Sequence, residues 1–500
     1  MKTIYFAGGC FWGTEHYMRQ FDGVVETAVG YANGHVDEPS YQQVYTDRTG
    51  HVECVRVVFD ETVVSLRTLC RLFFRSIDPL SVNRQGEDVG TRYRTGIYWS
   101  DEEDRAVVEQ VWQEICDRYM ARMDPVTLTS NTTTNNTSNT TTSTAINTTI
   151  NTTINTKPTT TIINPATSGT PSPSLPPSPL PLPLPPSLVS PSPVSPSPAS
   201  PSPASPASSP ALLPLPTPTA GGDGIECRCS LAVEKLPLQC FYPAEEYHQD
   251  YLYKNPEGYC HLTLETLRLA KDYSQICREL RACSRDDKRD ILPRFFKTGK
   301  GEYGEGDMFL GVVVPDNRKI ALKHADASFD LIAALLESEW HECRLCALLI
   351  LVERFRKTTF KDEVVEFYLK HTAGINNWDL VDLSAPYILG VYLVTVPDRQ
   401  ILYDLACSAC MWEQRIAIVS TLMLIRHGHF DDTMKLAEMF LRTKHDLMQK
   451  ATGWMLREVG KRDEARLVGF LETYKSVMPR TMLRYALEKF SPQRRAYFMK

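Results

Sequence analysis

Long hydrophobic runs are missing from this chain of 500 residues. No apolar stretch reaches the roughly 18–20 residues that a membrane-spanning helix needs, so the sequence predicts no transmembrane segment. The N-terminus has no secretory apolar region either, because its first apolar run leads directly into a glycine turn. Strong net charge is absent too: the balance is −6, which argues against a protein that coats nucleic acid uniformly. The sign is unevenly spread, and the part from Lys271 onward is mildly basic. A strict internal repeat is also lacking. The 14 cysteines are scattered rather than clustered as in a small disulfide scaffold. A reducing, cytoplasmic setting is expected, with nuclear access open and any disulfide catalytic.

What is present begins with Gly8-Gly9-Cys10-Phe11-Trp12-Gly13. Thr3 to Ala7 is a short apolar run that predicts a strand. The glycines predict a tight turn, and Phe11 to Gln20 has helical spacing. Cys10 then sits where a helix begins, and unpaired N–H groups and the helix dipole there favour a thiolate. Phe11 and Trp12 place apolar surface beside the sulfur. From His51 to Phe59 the pattern has period two. Glu53, Val55, Val57 and Phe59 share one face, and Cys54 and Arg56 the other. A carboxyl among apolar neighbours is desolvated, which raises its pKa and keeps it a proton donor near neutrality. Asp101 to Tyr119 predicts a helix.

Between about 124 and 224 the composition changes. An Asn/Thr tract (131–156) is followed by a Pro/Ser tract (171–218). Neither can bury a core, so a disordered insert over 123–224 is expected, polyproline II in its second part. The PxxP spacing fits an inert spacer or a ligand of an SH3-like partner. Order is expected again near Ile225, followed by the aromatic and acidic cluster FYPAEEYHQDYLYKNPEGYCH (241–261). From about Ile276 onward, segments of about 15 apolar-periodic residues with short breaks predict helix after helix. Leu331, Leu335, Trp340 and Leu348–Val352 are assigned to one apolar helix, and Ile416, Val419 and Met423 mark another. The pattern fits an all-α stack of helix pairs, a degenerate HEAT-like array.

Several segments carry a family resemblance. GCFWG (9–13), VGYANG (29–34), PSYQQV (39–44), TGHVE (49–53), NRQGEDVGTRYRTGIYW (83–99), FYPAEEYHQDYL (241–252) and KNPEGYCH (254–261) resemble methionine sulfoxide reductase A. The resemblance implies an α+β, two-layer domain with a ferredoxin-like mixed sheet. That domain is split into residues 1–122 and 225–270 by the insert. It also implies a peptide-methionine (S)-S-oxide reductase acting on oxidised proteins and free methionine sulfoxide. By that resemblance Cys10 attacks the sulfoxide sulfur as a thiolate and Glu53 protonates the leaving oxygen. Tyr41 and Tyr251 hydrogen-bond that oxygen, and Glu246 supports them. Phe11 and Trp12 hold the substrate methyl group. Cys260 resolves the Cys10 sulfenic acid, with Cys227, Cys229 and Cys240 as alternative resolvers. No cofactor is bound. Thioredoxin, or dithiothreitol in vitro, is the reductant.

A second resemblance covers 277–500. RFFKTGKGEYGEGDMFLGVVVP (294–315), NNWDLVDLSAPYILG (376–390), MWEQRIAIVS (411–420), KATGWMLREVGK (450–461) and PRTMLRYALEKF (479–490) resemble the DNA alkylation repair family of HEAT-like glycosylases. Trp378 and Asp382 are spaced i,i+4, and Trp454 and Arg457 i,i+3, so each pair shares a helix face. The resemblance implies Asp382 as catalytic carboxylate and Trp378 and Trp454 framing a cationic alkylated purine. It places Arg415 and Arg457 on phosphates of double-stranded DNA. A catalytically silent DNA-binding scaffold is the alternative. The pairs Cys343/Cys346 and Cys407/Cys410 lie in predicted helices too far apart for a zinc ribbon, and no metal is expected at them.

Overall fold

In the computed structural model of the chain, residues 1–123 and 231–500 are described. The expected insert, Cys227 and Cys229 lie outside them. The first segment contains six strands: β1 (Lys2–Gly8), β2 (Val24–Ala32), β3 (Val52–Phe59), β4 (Arg84–Gln85), β5 (Asp88–Val89) and β6 (Thr95–Trp99). With them are the helices α1 (Phe11–Met18), α2 (Tyr41–Tyr45), α3 (Leu66–Phe74) and α4 (Glu102–Met123). The second segment adds β7 (Val233–Pro237), β8 (Phe241–Pro243) and α5 (Tyr251–Lys254).

One six-stranded mixed sheet has the order β7-β6-β1-β3-β2-β8. The first-segment strands form its centre, and the second segment supplies both edges. β7 runs parallel to β6, with Thr95 opposite Val233, and β8 runs antiparallel to β2, with Tyr31 opposite Tyr242. The two segments therefore complete one sheet, as the split-domain reading requires. Period-two alternation decides the faces. Ile4 and Phe6 of β1 register with Val57 and Val55 of β3 and point into the large core with α1 and α3. Ala7, Ala32, Val52, Cys54 and Tyr98 form a smaller buried cluster, covered by Tyr5, Leu238 and Phe241.

A long helix, α6 (Leu264–Ala282), follows. It begins on the Thr263 hydroxyl, which accepts from the Thr266 N–H. It runs without a break across the boundary expected between 270 and 277. Fourteen helices follow it: α7 (Asp286–Phe295), α8 (Val314–Lys323), α9 (Phe329–Leu336), α10 (His341–Lys357), α11 (Lys361–Lys370), α12 (Trp378–Ser384), α13 (Val391–Thr395), α14 (Gln400–Ala406), α15 (Met411–Arg426), α16 (Asp431–Met439), α17 (Asp446–Gly460), α18 (Glu464–Tyr474), α19 (Arg480–Ala486) and α20 (Pro492–Met499). This is the expected all-α array, with α10, α15 and α17 as its buried members. The single helix expected across Leu331–Val352 is instead two. The chain breaks at Ser338–Trp340, where the Ser338 hydroxyl accepts from the Trp340 N–H and α10 restarts. Cys407 and Cys410 lie not within helices but at the exposed turn between α14 and α15.

The sheet domain and the array form one compact unit. The Glu337 carboxylate ion-pairs with Arg75 of α3 at 2.8 Å and with Arg118 of α4 at 2.7 Å, while Arg71 donates to the Glu337 carbonyl at 2.6 Å. From α6 itself, Arg281 pairs with Asp22 at 2.6 Å, and the Ser274 hydroxyl donates to the Gln20 carbonyl at 2.7 Å. Among the described residues no helix is long and apolar enough to cross a membrane.

Candidate functional site

β1 ends in the Gly8-Gly9 turn. Gly9 has φ +86°, and a Cβ there would stand 2.6 Å from Gln85 Cβ, so glycine is required. The turn delivers Cys10 as the N-cap residue of α1, where sequence reasoning put it. The N–H groups of Trp12 and Gly13 approach the sulfur and lower its pKa, but burial and then Glu53 raise it further, and the net shift is well upward. The expectation of a resting thiolate is therefore corrected. The dipole acts as expected, but in a residue only 5% exposed the sulfur loses more through desolvation than two N–H groups return. Cys10 rests as a thiol.

Glu53 lies on β3, 2% exposed, on the face predicted from the alternation. Its Oε2 accepts the Phe11 N–H at 3.0 Å, which ties it to the first turn of α1 beside Cys10. Burial pushes its pKa up to about 8, although that hydrogen bond opposes the shift. The carboxyl therefore carries a proton at neutral pH.

The aromatic residues form a connected bed. Phe11 is buried, with its ring 6.0 Å from Tyr31 and 5.2 Å from His248. Trp12 is only partly buried and stacks on Tyr251 at 3.8 Å between centroids. Its indole N–H donates to His248 Nδ1 at 3.2 Å. Tyr41, the first residue of α2, packs on His248 at 4.7 Å. Burial and the nearby Glu53 push its hydroxyl up to about 12. Tyr251 and His248 come from the far side of the insert, so the bed itself is built from both segments.

Glu246 does not take the supporting place expected of it. It is exposed and pairs only with Lys254. The adjacent Glu245 faces inward, accepting the Tyr31 hydroxyl and the Tyr41 N–H, each at 2.8 Å. Burial raises the Glu245 pKa, but these hydrogen bonds outweigh it and the net shift is downward. Adjacent carboxylates in a loop carry no periodic signal that could have chosen between them.

Cys260 and His261 pack over α1. A Cβ on Gly13 would lie 2.7 Å from His261 Nδ1 and 3.3 Å from Cys260 Sγ, so the missing side chain is what admits them. Cys260 is a half-buried free thiol raised by burial. Cys240 instead lies 3.9 Å from His51 Nε2, with its thiol directed at the Gly34 carbonyl. Four further residues were not singled out in the sequence, although all lie inside the quoted motifs. Tyr93 is buried, and its hydroxyl is raised by burial and then by Glu53. Arg92 ion-pairs with Asp47 at 2.8 Å and with its charge opposes the rise at Glu53. Asp88 and His261 place a carboxylate oxygen and a ring nitrogen with Cys10 Sγ, all within 4.8 Å of one another. Burial pushes His261 down to about 4, against a smaller contribution from the Gly8 carbonyl.

In the array, Trp378 opens α12. It stacks on Phe296 at 5.4 Å between centroids, and the Tyr303 hydroxyl meets its indole. Trp412 lies 6.1 Å from Tyr303. Trp454 is partly buried on α17, one turn beyond Lys450, whose charge acts on Tyr303. Asp382, four residues after Trp378, accepts from Arg415 through both oxygens at 3.0 and 2.8 Å. Burial raises its pKa, with Arg415 opposing. Arg415 is buried and also donates to the Leu447 carbonyl at 2.7 Å. It therefore neutralises Asp382 rather than facing solvent, contrary to the expected phosphate contact. Arg457 is likewise engaged, by Glu488 and Glu458. Beneath α12 lies a buried network that the sequence reading missed. His341 bonds Asp379 at 2.9 Å and Asp307 at 3.2 Å, and Arg344 bonds Asp307 at 2.6 Å. Burial lowers the His341 pKa, but the two aspartates carry it up to about 9.

Residues 2–141 and 226–278 match the family model described as peptide methionine sulfoxide reductase, and 276–490 match that described as DNA alkylation repair enzyme. The peptide methionine sulfoxide reductase MsrA of Alkaliphilus metalliredigens is 59% identical over 104 residues, covering 21% of this chain and 66% of that protein. MsrA of Clostridium botulinum is 31% identical over 265 residues, covering 53% of this chain and all of that one. A solved structure titled as a predicted DNA alkylation repair enzyme from Enterococcus faecalis is 18% identical, with a TM-score of 0.36. It covers 42% of this chain and 97% of its own. The chain belongs to the peptide methionine sulfoxide reductase MsrA family, an MsrA-type reductase fused to a DNA alkylation repair domain.

Proposed function

We propose that the chain reduces methionine-(S)-sulfoxide, free and in proteins, with Cys10 as nucleophile and Glu53 as acid. The observation that carries this reading is the buried, protonated Glu53 hydrogen-bonded to the N–H that follows Cys10. The substrate methyl group rests on Phe11 and Trp12, and the Tyr41 and Tyr251 hydroxyls hold the oxygen. Glu53 gives its proton to that oxygen, which makes the sulfur electrophilic. Cys10 Sγ bonds to the oxygenated sulfur and its own proton returns to the carboxylate; the hydroxyl then moves from the substrate sulfur to Sγ as the S–S bond breaks, and methionine departs. Cys10 is left as a sulfenic acid. Cys260 then attacks that sulfur, water leaves, and a Cys10–Cys260 disulfide forms. Thioredoxin's dithiol reduces it by exchange. Cys260→Ser should leave the first, reductant-free turnover intact and abolish thioredoxin-driven cycling. Retained cycling would move the resolving role to Cys227, Cys229 or Cys240.

For the array we propose excision of cationic alkylated purines from double-stranded DNA. Trp378 and Trp454 would attract the charged base, and Asp382 would stabilise the positive sugar. A silent DNA-binding scaffold is the second reading, and the bidentate Arg415–Asp382 pair favours it, because a carboxylate already neutralised has little left for a sugar cation. Release of 7-methylguanine from alkylated DNA decides. Wild type should release it, and Asp382→Asn should abolish release while keeping DNA affinity. If wild type releases none, the second activity falls, and retained DNA affinity would then support the scaffold.

A further inference from the structure

The thiol of Cys10 has two polar, half-buried neighbours, Asp88 and His261. The ring nitrogens of His261 and Oδ2 of Asp88 are shielded from solvent and make no well-aligned hydrogen bond; the Gly8 carbonyl and the Tyr259 hydroxyl are the groups that act on them. Shielded polar atoms of native proteins are usually well paired, so weakly paired groups beside a sulfur call for an explanation. They are not scattered: the sulfur, one Asp88 carboxylate oxygen and one His261 ring nitrogen all lie within 4.8 Å of one another. The backbone holds them there. Gly13 leaves the space that the imidazole fills, since a Cβ there would stand 2.7 Å from Nδ1.

We propose that Cys10, Asp88 and His261 form a zinc site that holds the reductase in a blocked state. The donor set is one sulfur, one imidazole and one carboxylate, with a fourth position left for water, and zinc accepts such sets in tetrahedral geometry. Bonds of about 2.0–2.3 Å put tetrahedral ligands about 3.5 Å apart, so the three groups close by roughly an ångström around the ion. Binding converts Cys10–SH to a zinc-bound thiolate and releases one proton. The two positive charges of the metal are then matched by thiolate and carboxylate, which makes a neutral centre suited to a buried place. The sulfur that would attack a sulfoxide is occupied, so reduction stops until the metal is removed.

Full-length reduced protein titrated with zinc chloride against a chromophoric indicator tests the binding. The expected result is one zinc per chain, with one proton released. His261→Ala and Asp88→Asn should each weaken binding by about tenfold or more, and Cys10→Ser should lose the proton release. X-ray absorption at the zinc edge of the wild-type complex needs no variant to fold, and should show one sulfur with nitrogen and oxygen neighbours. Two or more sulfurs, or none, would overturn the assignment. So would loss of binding in a Cys407→Ser/Cys410→Ser protein, which would place the ion at the exposed turn. The inhibition arm rests on the reductase reading: zinc should abolish single-turnover methionine formation without reductant, and His261→Ala should restore it at the same zinc concentration. A zinc-loaded wild type that still turns over would sink the blocking role while leaving the reductase reading standing.

Discussion

Glu53 and Cys10 are both held neutral by burial, and their proximity lets one proton pass between them and the substrate oxygen. Activity should therefore fall as pH rises through about 8, the pKa of Glu53, because the carboxylate has no proton to give. Glu53→Gln should slow the first turnover by about 10²–10⁴-fold, measured as methionine formed in a single turnover. The same group burdens the fold. Its pKa is raised on folding, so its contribution is fully present below about 4.5 and is lost as pH climbs through 8. Glu53→Gln should then melt higher than wild type at pH 9 but not at pH 4. Period-two alternation made Glu53 legible. The state of the sulfur was not legible, because the dipole acts through local geometry and burial through residues distant in sequence. Glu245 was hidden for a related reason: which of two adjacent carboxylates turns inward depends on Tyr31 and Tyr41, some 200 positions earlier.

At the level of elements, α1 shows how tertiary packing overrides propensity. Alanine normally stabilises a helix interior over glycine by about 1 kcal/mol. At position 13 a Cβ would instead strike the His261 ring and crowd Cys260 Sγ. Gly13→Ala should lower stability by about 1–3 kcal/mol in chemical denaturation. It should slow thioredoxin-driven turnover more than the first turnover, because the displaced segment carries the resolving thiol. β1 was readable as a short apolar run ending in glycines and β3 by its alternation, whereas the ends of α1 and α4 differ from the expected ones by two and four residues. The break between α9 and α10 was not readable. Leu331–Leu336 and Leu348–Val352 are apolar all round, as buried helices are, so no change of period marks the turn at Ser338. The Cys407–Cys410 turn was hidden in the same way, by apolar neighbours on both sides.

For the whole molecule, the insert changes distance along the chain but not the sheet. β7 and β8 are paired at the two edges, and His248, Tyr251 and Cys260 reach the site from beyond the insert. Lengthening a surface connection about tenfold costs on the order of 2 kcal/mol, which two strands and a buried aromatic bed can offset. Proteolytic cleavage within 124–224 should leave the fragments eluting together with sulfoxide reduction intact. Separation of the fragments under native conditions would count against the split domain. The sequence motifs located both segments of the reductase, but not the ionic contacts of Glu337 with Arg75 and Arg118, which join positions more than 200 residues apart.

The unbroken course of α6 bears on where this fusion could be cut. A stop codon at position 270 would end the chain midway along the helix and strip away Tyr273, Ile276 and Leu280, which are buried. The truncated product would uncover apolar surface on Phe21, against which the Tyr273 ring packs. The second half of α6 thus serves the sheet domain as well as the array, and a chain cut at 270 should be less stable in its reductase part than one cut after Ala282.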